Sequence, residues 1–488
     1  MATRREVLKA LGAAGASAAL LPLKAFGASN DSSGVASFTQ PLNIPPVLTP
    51  TSTTSSTDYY DMQITQTTAS IIPGKSTPVI GYNGMTPGPT IRARAGHETV
   101  VNFYNGLPAT TLGGATGNTV VHLHGGHTAS ASDGFPTDYI NTGSNRTYTY
   151  PNNQLPATLW YHDHVMNDTA PHVWYGLAGF YLLTDSVEDG LNLPSGAYEV
   201  PLVIQDRRFN TSGALVYSGT NNGETGDAVL VNGVVQPYFN IAKRKYRFRI
   251  LNGSNSRLYR LALSNGQSFK VLGMEGGLLE APVTVTSITL APAERADVVI
   301  DFSGIAVGSN VTLRNTLVGS TSTVYNLMRF NVTTTATDTS VVPATLRPLT
   351  RLNAADAVTT RTFTLGGGGG MMGGGTWTIN GAAFNPNTVI ASPRLGTTEI
   401  WRFTNSGMMM GNMNHPMHIH GVMFQILDIS GAAPAATHAG WKDTVDVPAG
   451  GSARVIMKFT DYTGKYVLHC HNLEHEDNAM MARFDVVP

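Results

Sequence analysis

The fold of this chain is decided by Asn83-Gly84, the following Pro87, and the strand-like run Thr99-Val100-Val101-Asn102-Phe103-Tyr104-Asn105. The same ordered signals return twice at nearly equal intervals: Asn232-Gly233 with Pro237 and Tyr246–Asn252, then Asn380-Gly381 with Pro386 and Glu399–Asn405. An Asn-Gly pair is a turn signal, and the runs after it alternate in polarity as strands do. Three ordered copies indicate an internal repeat. They predict three β-sandwich domains of common descent.

Composition agrees with this organisation. A length of 488 residues suggests about three domains at roughly 150 residues each. The 52 glycines and 27 prolines, with abundant Thr and Val, favour short strands joined by turns over helices. The net charge of -1 gives no indication of nucleic acid or an anionic membrane as a partner. The single cysteine excludes an internal disulfide framework, so stability must rest on core burial.

The first residues look like a twin-arginine export signal. Arg4-Arg5 precede a short Ala-rich apolar run that reaches about Leu21 and is too short for a confident membrane span. We therefore expect residues 1–28 to be a signal peptide, with the twin-arginine export machinery as a partner. The mature chain is then expected in the periplasm or outside the cell, without a stable membrane span.

The domain boundaries follow from the repeat. We predict domains over residues 45–190, 196–345 and 358–488. The segment from Asp31 to Asp58 is rich in Ser, Thr and Pro, and this composition predicts a loose lead-in.

Histidine distinguishes the three copies. None occurs between His172 and His415, so the middle copy is predicted to be a spacer without this ligand. The outer copies contain four His-x-His pairs: His122/His124, His162/His164, His418/His420 and His469/His471. In an extended strand, residues two apart point to one face, so each pair presents both imidazoles to a shared metal cluster. The simplest geometry places this cluster between the first and third domains.

Cys470, the only cysteine, lies between two of these histidines. Strand alternation points its side chain away from the face shared by His469 and His471. One tripeptide then contacts two metal sites. A cysteine with one histidine on each of two segments and a distant methionine is the soft ligand set of an electron-transfer copper.

The four segments Val121-His122-Leu123-His124-Gly125, Trp160-Tyr161-His162-Asp163-His164, His415-Pro416-Met417-His418-Ile419-His420-Gly421 and His469-Cys470-His471-Asn472-Leu473-Glu474-His475 together resemble the three-domain bacterial multicopper oxidases. This family includes laccases, bilirubin oxidases and cuprous oxidases. The stretches Leu290–Asp297 and Gly440–Thr444 also look like those relatives. The resemblance, from about Pro41 to Pro488, implies an all-β fold of three tandem cupredoxin-like Greek-key β-sandwich domains. It also implies an oxidase that takes electrons from a donor and reduces O2 to water.

The resemblance further implies four copper ions and a ligand set for each. The type 1 copper would be held by His415, Cys470 and His475, with Met480 as the weak axial ligand. The type 2 copper would be held by His122 and His418, and the type 3 pair by His124, His162, His164, His420, His469 and His471. Electrons would pass from Cys470 through its flanking histidines. Asp133 and Glu476 match positions with proton-delivery roles; considered alone, they would be a turn residue and a solvated charge.

The electron donor is the open point. Laccase-like oxidation of phenols, aromatic amines or pigments is the first interpretation, and a periplasmic cuprous oxidase in copper tolerance is the alternative. The alternative draws on a set of methionines, whose thioethers suit Cu(I): Met371, Met372, Met408, Met409, Met410, Met413 and Met417. They equally suit the wall of an apolar pocket, and no carboxylate precedes His415 as it does in the family's cuprous oxidases. His438, before Trp441, is a candidate lining residue of the donor mouth.

A non-enzymatic copper-binding envelope protein is a third possibility, although no ligand of the family's set is missing. Three internal domains supply both sides of the cluster, so a monomer suffices.

Overall fold

The computed structural model describes residues 31–367, 375–405 and 413–488. Strands dominate these ranges, which contain three short α-helices, namely α1 (Thr169–Tyr175), α2 (Ser186–Gly190) and α3 (Leu473–Asp477). The dominance of strands confirms the predicted all-β class. None of the helices in the described ranges is long and apolar enough to span a bilayer.

Unit 1 is a sandwich of two sheets. Its strands are β1 (Ser52–Thr53), β2 (Thr57–Ala69), β3 (Thr77–Tyr82), β4 (Gly88–Arg94), β5 (Glu98–Asn105), β6 (Val121–His124), β7 (Asn145–Tyr150), β8 (Thr158–Asp163) and β9 (Ala178–Thr184). One sheet has the order β1-β2-β5-β7, with β3 paired to β2, and the other has the order β4-β9-β8-β6.

Unit 2 is built in the same way. Its strands are β10 (Glu199–Arg207), β11 (Ala228–Val231), β12 (Val234–Val235), β13 (Tyr238–Lys243), β14 (Lys245–Asn252), β15 (Tyr259–Leu263), β16 (Phe269–Met274), β17 (Gly277–Val285), β18 (Ser287–Leu290), β19 (Arg295–Asp301), β20 (Asn310–Asn315) and β21 (Asn326–Thr335). The sheets run β12-β11-β10-β14-β19-β16-β17 and β13-β21-β20-β15-β18.

Unit 3 completes the chain. Its strands are β22 (Ala357–Gly367), β23 (Trp377–Ile379), β24 (Val389–Ala391), β25 (Thr398–Asn405), β26 (His415–Ile419), β27 (Phe424–Ile429), β28 (Trp441–Lys442), β29 (Thr444–Val447), β30 (Ser452–Lys458), β31 (Gly464–Cys470) and β32 (Met481–Val486). The sheets run β23-β22-β25-β30-β27-β28 and β24-β32-β31-β26-β29. Each unit has an apolar core between its two sheets, and the core of unit 1 continues onto Ala228, Leu230 and Val235 of unit 2.

The three Asn-Gly pairs adopt one turn conformation. Asn83, Asn232 and Asn380 have φ of 51°, 50° and 54°, and the glycine after each has φ of 72°, 77° and 75°. Positive φ at both central residues characterises the type I′ hairpin, which Asn-Gly favours. In every unit the Asn side chain accepts a hydrogen bond from a backbone N–H of the first long strand, at 2.7, 2.8 and 2.8 Å.

The strand after the turn also has the same place in each unit. It pairs in parallel with that first long strand, as β5 with β2, β14 with β10, and β25 with β22. It ends at a buried asparagine, Asn105, Asn252 or Asn405, whose amide donates to two backbone carbonyls. The sequence repeat therefore corresponds to a structural repeat, although the predicted domain boundaries stay predictions.

The lead-in differs from its expectation. Ser32 Oγ donates to Asp227 at 2.5 Å, and the Leu42 N–H donates to the Tyr238 carbonyl at 2.7 Å. Val35 is buried in the unit 1 core. The prediction of a loose segment is wrong for this part of the chain, because its backbone pairs with the edge of unit 2 despite a turn-like composition.

A buried ion cluster holds unit 2 against the end of unit 1. Arg249 lies 2.5 Å from Glu188 and 2.8 Å from Glu199, and its Nη1 donates to Thr158 Oγ1 at 3.2 Å. Arg247 pairs with Asp297 in the same cluster. Burial alone would raise the pKa of Glu199, but Arg249, Arg247 and Arg92 outweigh it and lower the pKa to about 2.

Acid should weaken this cluster. A carboxylate with a lowered folded-state pKa stabilises the fold above its unfolded pKa, and this stability is lost as pH falls through the folded pKa. Glu199→Gln should therefore lower stability by on the order of 3 kcal/mol at pH 6. Urea unfolding of both proteins should show the difference shrinking from about pH 4.5 towards pH 2. A difference that stays constant down to pH 3 would contradict the assignment.

The repeated turn should be needed for stability even in the unit without histidine. Asn232→Ala removes the acceptor of the Val203 N–H and places an alanine at positive φ, so we expect a loss of about 1–3 kcal/mol. Asn232→Gly removes the same side-chain hydrogen bonds, to the Val203 N–H and the Pro201 carbonyl, but tolerates the positive φ and should lose less. Thermal unfolding of the two variants checks this order; equal losses would show that the backbone conformation contributes nothing.

Candidate metal centre

Two pairs of antiparallel strands bring the four His-x-His pairs together. In unit 1, β6 pairs with β8 so that His122 lies opposite His162. In unit 3, β26 pairs with β31 so that His418 lies opposite His469. All eight imidazoles are at most 1% exposed and meet between units 1 and 3.

Three of the rings form a compact group. The Nε2 atoms of His164, His420 and His469 lie 3.1, 3.1 and 3.2 Å from one another. No proton can satisfy three converging nitrogens at once, whereas one metal ion can accept all three lone pairs.

A second group faces it. The Nε2 atoms of His122 and His418 lie 3.3 Å apart. Each ring donates its Nδ1–H to a backbone carbonyl, that of Asp133 at 2.5 Å and that of Asp443 at 2.8 Å. These bonds leave Nε2 unprotonated and directed at the partner ring.

The third group consists of His124, His162 and His471, with ring centroids 4.9 to 5.7 Å apart. His124 Nδ1, His162 Nε2 and both nitrogens of His471 are buried and have no hydrogen-bond partner among the described residues. Buried polar atoms are seldom left unpaired in folded proteins. Metal coordination would satisfy them.

The charge state of these rings suits metal binding. Burial lowers the pKa of His162 to about 3 and that of His164 to about 4, the latter against the opposing effect of Glu476. Burial also holds the pKa of His122, His418 and His420 well below the usual value. Neutral imidazole is the form that offers a lone pair to a metal.

Two carboxylates contact the rings from outside. Asp133 Oδ2 accepts the Nδ1–H of His420 at 2.8 Å. Glu476 lies 2.9 Å from Nδ1 of His469 and 3.4 Å from Nδ1 of His164. Both carboxylates are buried, so neither is an exposed turn residue or a solvated charge. Such contacts fix the tautomer and orientation of metal-binding imidazoles.

A separate group lies inside unit 3. Cys470 Sγ is 3.6 Å from Nδ1 of His415 and 3.6 Å from Nδ1 of His475, and the two nitrogens are 3.2 Å apart. Met480 is fully buried in the same core, and its backbone bonds to both Cys470 and His475. Burial raises the pKa of the Cys470 thiol, so a bound cation is needed to hold the thiolate.

The other methionines and the histidine named from the sequence lie in different places. Met481, beside Met480, packs on the opposite side against Phe135 and Val467. Met417 is buried in the unit 3 core and therefore does not line a donor mouth. Met371, Met372, Met408, Met409 and Met410 lie outside the described residues. His438 lies in a cavity of about 210 Å³ with Glu294 and Asp446.

Two contacts escaped the sequence analysis. Asp443 Oδ1 accepts the Nε2–H of His124 at 3.0 Å, in addition to the carbonyl contact with His418. Trp377 lies over His475 with ring centroids 3.9 Å apart. Both residues are outside the histidine motifs; only the resemblance of Gly440–Thr444 to family members pointed towards Asp443.

Comparison with known proteins gives one consistent result. Family models described as multicopper oxidase match residues 63–188, 205–336 and 343–488. The chain is 39% identical to the bilirubin oxidase of Albifimbria verrucaria over 92% of this chain and 81% of the relative. It is 36% identical to a laccase of Bacillus subtilis (strain 168) over 92% of this chain and 98% of the relative. A solved laccase from Pediococcus acidilactici Pa5930 superimposes with a TM-score of 0.84 at 32% identity, covering 92% of this chain and 94% of the other.

These relatives share the tandem cupredoxin-like architecture, so the predicted fold class and the predicted resemblance are both confirmed. The match extends through all three units and includes every strand that carries a clustered histidine. This chain belongs to the multicopper oxidase family.

Proposed function

We propose that the chain is a laccase-like oxidase that takes electrons from phenolic, aromatic-amine or pigment donors and reduces O2 to water. The observation that carries this proposal is the joining of two ligand groups by His469-Cys470-His471. Its relatives include proteins named laccase and bilirubin oxidase, which are oxidoreductases.

The donor set fits four copper ions. The type 1 ion would be held by His415, Cys470 and His475, with Met480 as axial ligand. The type 2 ion would be held by His122 and His418, and the type 3 pair by His164, His420 and His469 on one side and His124, His162 and His471 on the other. When bound, copper supplies the one-electron chemistry that links donor oxidation to O2 reduction.

The polypeptide links the two groups directly. Cys470 lies in the core of unit 3, while its neighbours His469 and His471 point into the space shared with unit 1. The path between them is covalent throughout, and its ends are fixed by the pairing of β31 with β26. Donor oxidation and O2 reduction can therefore occur at separate places.

O2 reduction also consumes protons, and two buried carboxylates in contact with the histidines support a route for them. Asp133 contacts His420 through its side chain and His122 through its carbonyl. Glu476 lies against His164 and His469. We assign proton delivery to these two residues.

Export and assembly complete the proposal. Arg4-Arg5 and the apolar run after them support twin-arginine export to the periplasm or the medium. Every ligand of both groups comes from one chain, which supports a monomeric enzyme.

The copper content and donor preference test this function. We expect about four copper ions per chain and O2 uptake with phenols or bilirubin-like pigments. Cys470→Ser should abolish the visible type 1 colour and donor oxidation. His162→Gln should keep the colour but lose O2 reduction, and His97→Gln, at a half-buried histidine outside the motifs, should change neither.

Fewer than about four copper ions per wild-type chain, or no O2 uptake with any donor, would contradict the enzyme assignment. Fast Cu(I) oxidation with slow phenol and pigment oxidation would contradict the donor assignment and favour the cuprous-oxidase alternative.

Asp133→Asn should slow O2 turnover by about 10-fold or more while the type 1 colour stays intact. The matched control is Asp138→Asn, since Asp138 is on the same loop but pairs with Lys465 and Arg146. Stopped-flow reoxidation of the donor-reduced enzyme separates the O2 step from donor oxidation. Loss of colour in Asp133→Asn would show a structural role instead.

A further inference from the structure

Unit 2 contains no histidine, but its residue Arg295 lies next to the histidines between units 1 and 3, which it approaches through Asp443. Arg295, the first residue of β19, is fully buried and binds Asp443 of unit 3 with both ends of its guanidinium, at 2.9 and 2.6 Å. Its Nε donates to the Thr158 carbonyl of unit 1 at 2.8 Å. One arginine therefore joins all three units beside the histidines.

Asp443, which Arg295 holds in place, contacts two of the histidine rings. Its Oδ1 accepts from His124 Nε2 at 3.0 Å and from Thr444 Oγ1 at 2.9 Å, and its carbonyl accepts from His418 Nδ1. A carboxylate only accepts hydrogen bonds, so the proton of neutral His124 is on Nε2. The lone pair is then on Nδ1, which is buried without a hydrogen-bond partner beside His162 and His471.

His124 thus offers Nδ1 to a metal ion, whereas the rings of the other two groups offer Nε2. His122, His164, His418, His420 and His469 all direct Nε2 towards one another. His124 therefore needs a fixed acceptor on its Nε2 side, and Asp443 provides it.

Nothing else in the described chain replaces Arg295 as the counterion. The neighbouring Lys442 is bound by Glu275 at 2.6 Å and Glu294 at 3.0 Å. Asp443 has no other Lys or Arg within ion-pair distance among the described residues.

The backbone after His124 is shaped around this ion pair. Gly125 has a φ of 84°, and a Cβ there would lie 2.6 Å from Asp443 Oδ2 and 2.8 Å from Arg295 Nη2. Only glycine lets the chain pass so close to the two charged groups.

We propose that Arg295 is a positioning residue for the copper cluster: it holds the Asp443 carboxylate in a fixed orientation, so that His124 presents Nδ1 together with His162 and His471. Unit 2 is then part of the centre and not only a spacer. The inference rests on the proposed copper assignment, and it concerns which units build the type 3 site.

The test uses copper-loaded full-length chains of Arg295→Gln, Arg295→Lys and Asp443→Asn. Total copper per chain is measured by elemental analysis, type 1 occupancy by visible colour, and cluster affinity by competition with a chelator. We expect unchanged type 1 colour in Arg295→Gln and a loss of about 10- to 100-fold in cluster affinity. Asp443→Asn should behave alike. Arg295→Lys should lose less cluster affinity, because lysine keeps the positive charge but cannot form the two parallel hydrogen bonds of the guanidinium.

Arg249→Gln is the matched control. Arg249 is equally buried, contacts the side chain of the same Thr158 and pairs with Glu188 and Glu199, but it bonds to no histidine. It should lower the melting temperature and leave the ratio of total copper to type 1 colour unchanged.

Cluster affinity equal to wild type in Arg295→Gln would overturn the proposal, as would an equal loss of cluster copper in Arg249→Gln. Should Arg295→Gln fail to fold, Arg295→Lys decides on the same ratio. A wild-type chain with fewer than about four coppers contradicts the proposed function itself, whereas a full complement in the wild type with unchanged cluster affinity in Arg295→Gln removes only the role of Arg295.

Discussion

The structure depends on the packing of two antiparallel strand pairs, β6 with β8 and β26 with β31, across the boundary between units 1 and 3. Because side chains alternate along a strand, both imidazoles of each His-x-His pair point into this boundary. Burying so many unpaired ring nitrogens is unfavourable without a metal ion to accept their lone pairs. Docking of the two units and metal binding are therefore coupled, and the strength of each depends on the other.

Charged groups around the boundary are themselves paired. Asp133 and Glu476 contact histidines directly, and Asp443 is held between a histidine and Arg295. Buried carboxylates are costly unless they are hydrogen-bonded or paired, so these contacts both orient the rings and make the carboxylates tolerable. The residues that orient the histidines are therefore as specific to this centre as the histidines themselves.

Sequence patterns identify the parts of this arrangement that are local. The Asn-Gly turns are set by positive φ at two adjacent residues, and the His-x-His pairs by a period of two, so both can be read from short segments. Arg295 and Asp443 carry no such pattern, because their contact exists only after three units have packed together. The lead-in from Asp31 shows the opposite error: its composition indicates a loop, but the edge of unit 2 offers its backbone hydrogen-bond partners.

The order of the ligands along the chain, with β31 after units 1 and 2, has a consequence for biosynthesis. The last residues of β31 supply ligands both to the group inside unit 3 and to the group shared with unit 1. During translation, neither group can be complete until these residues have left the ribosome, even though units 1 and 2 are free to fold earlier. Metal binding by either group therefore has to follow the synthesis of β31.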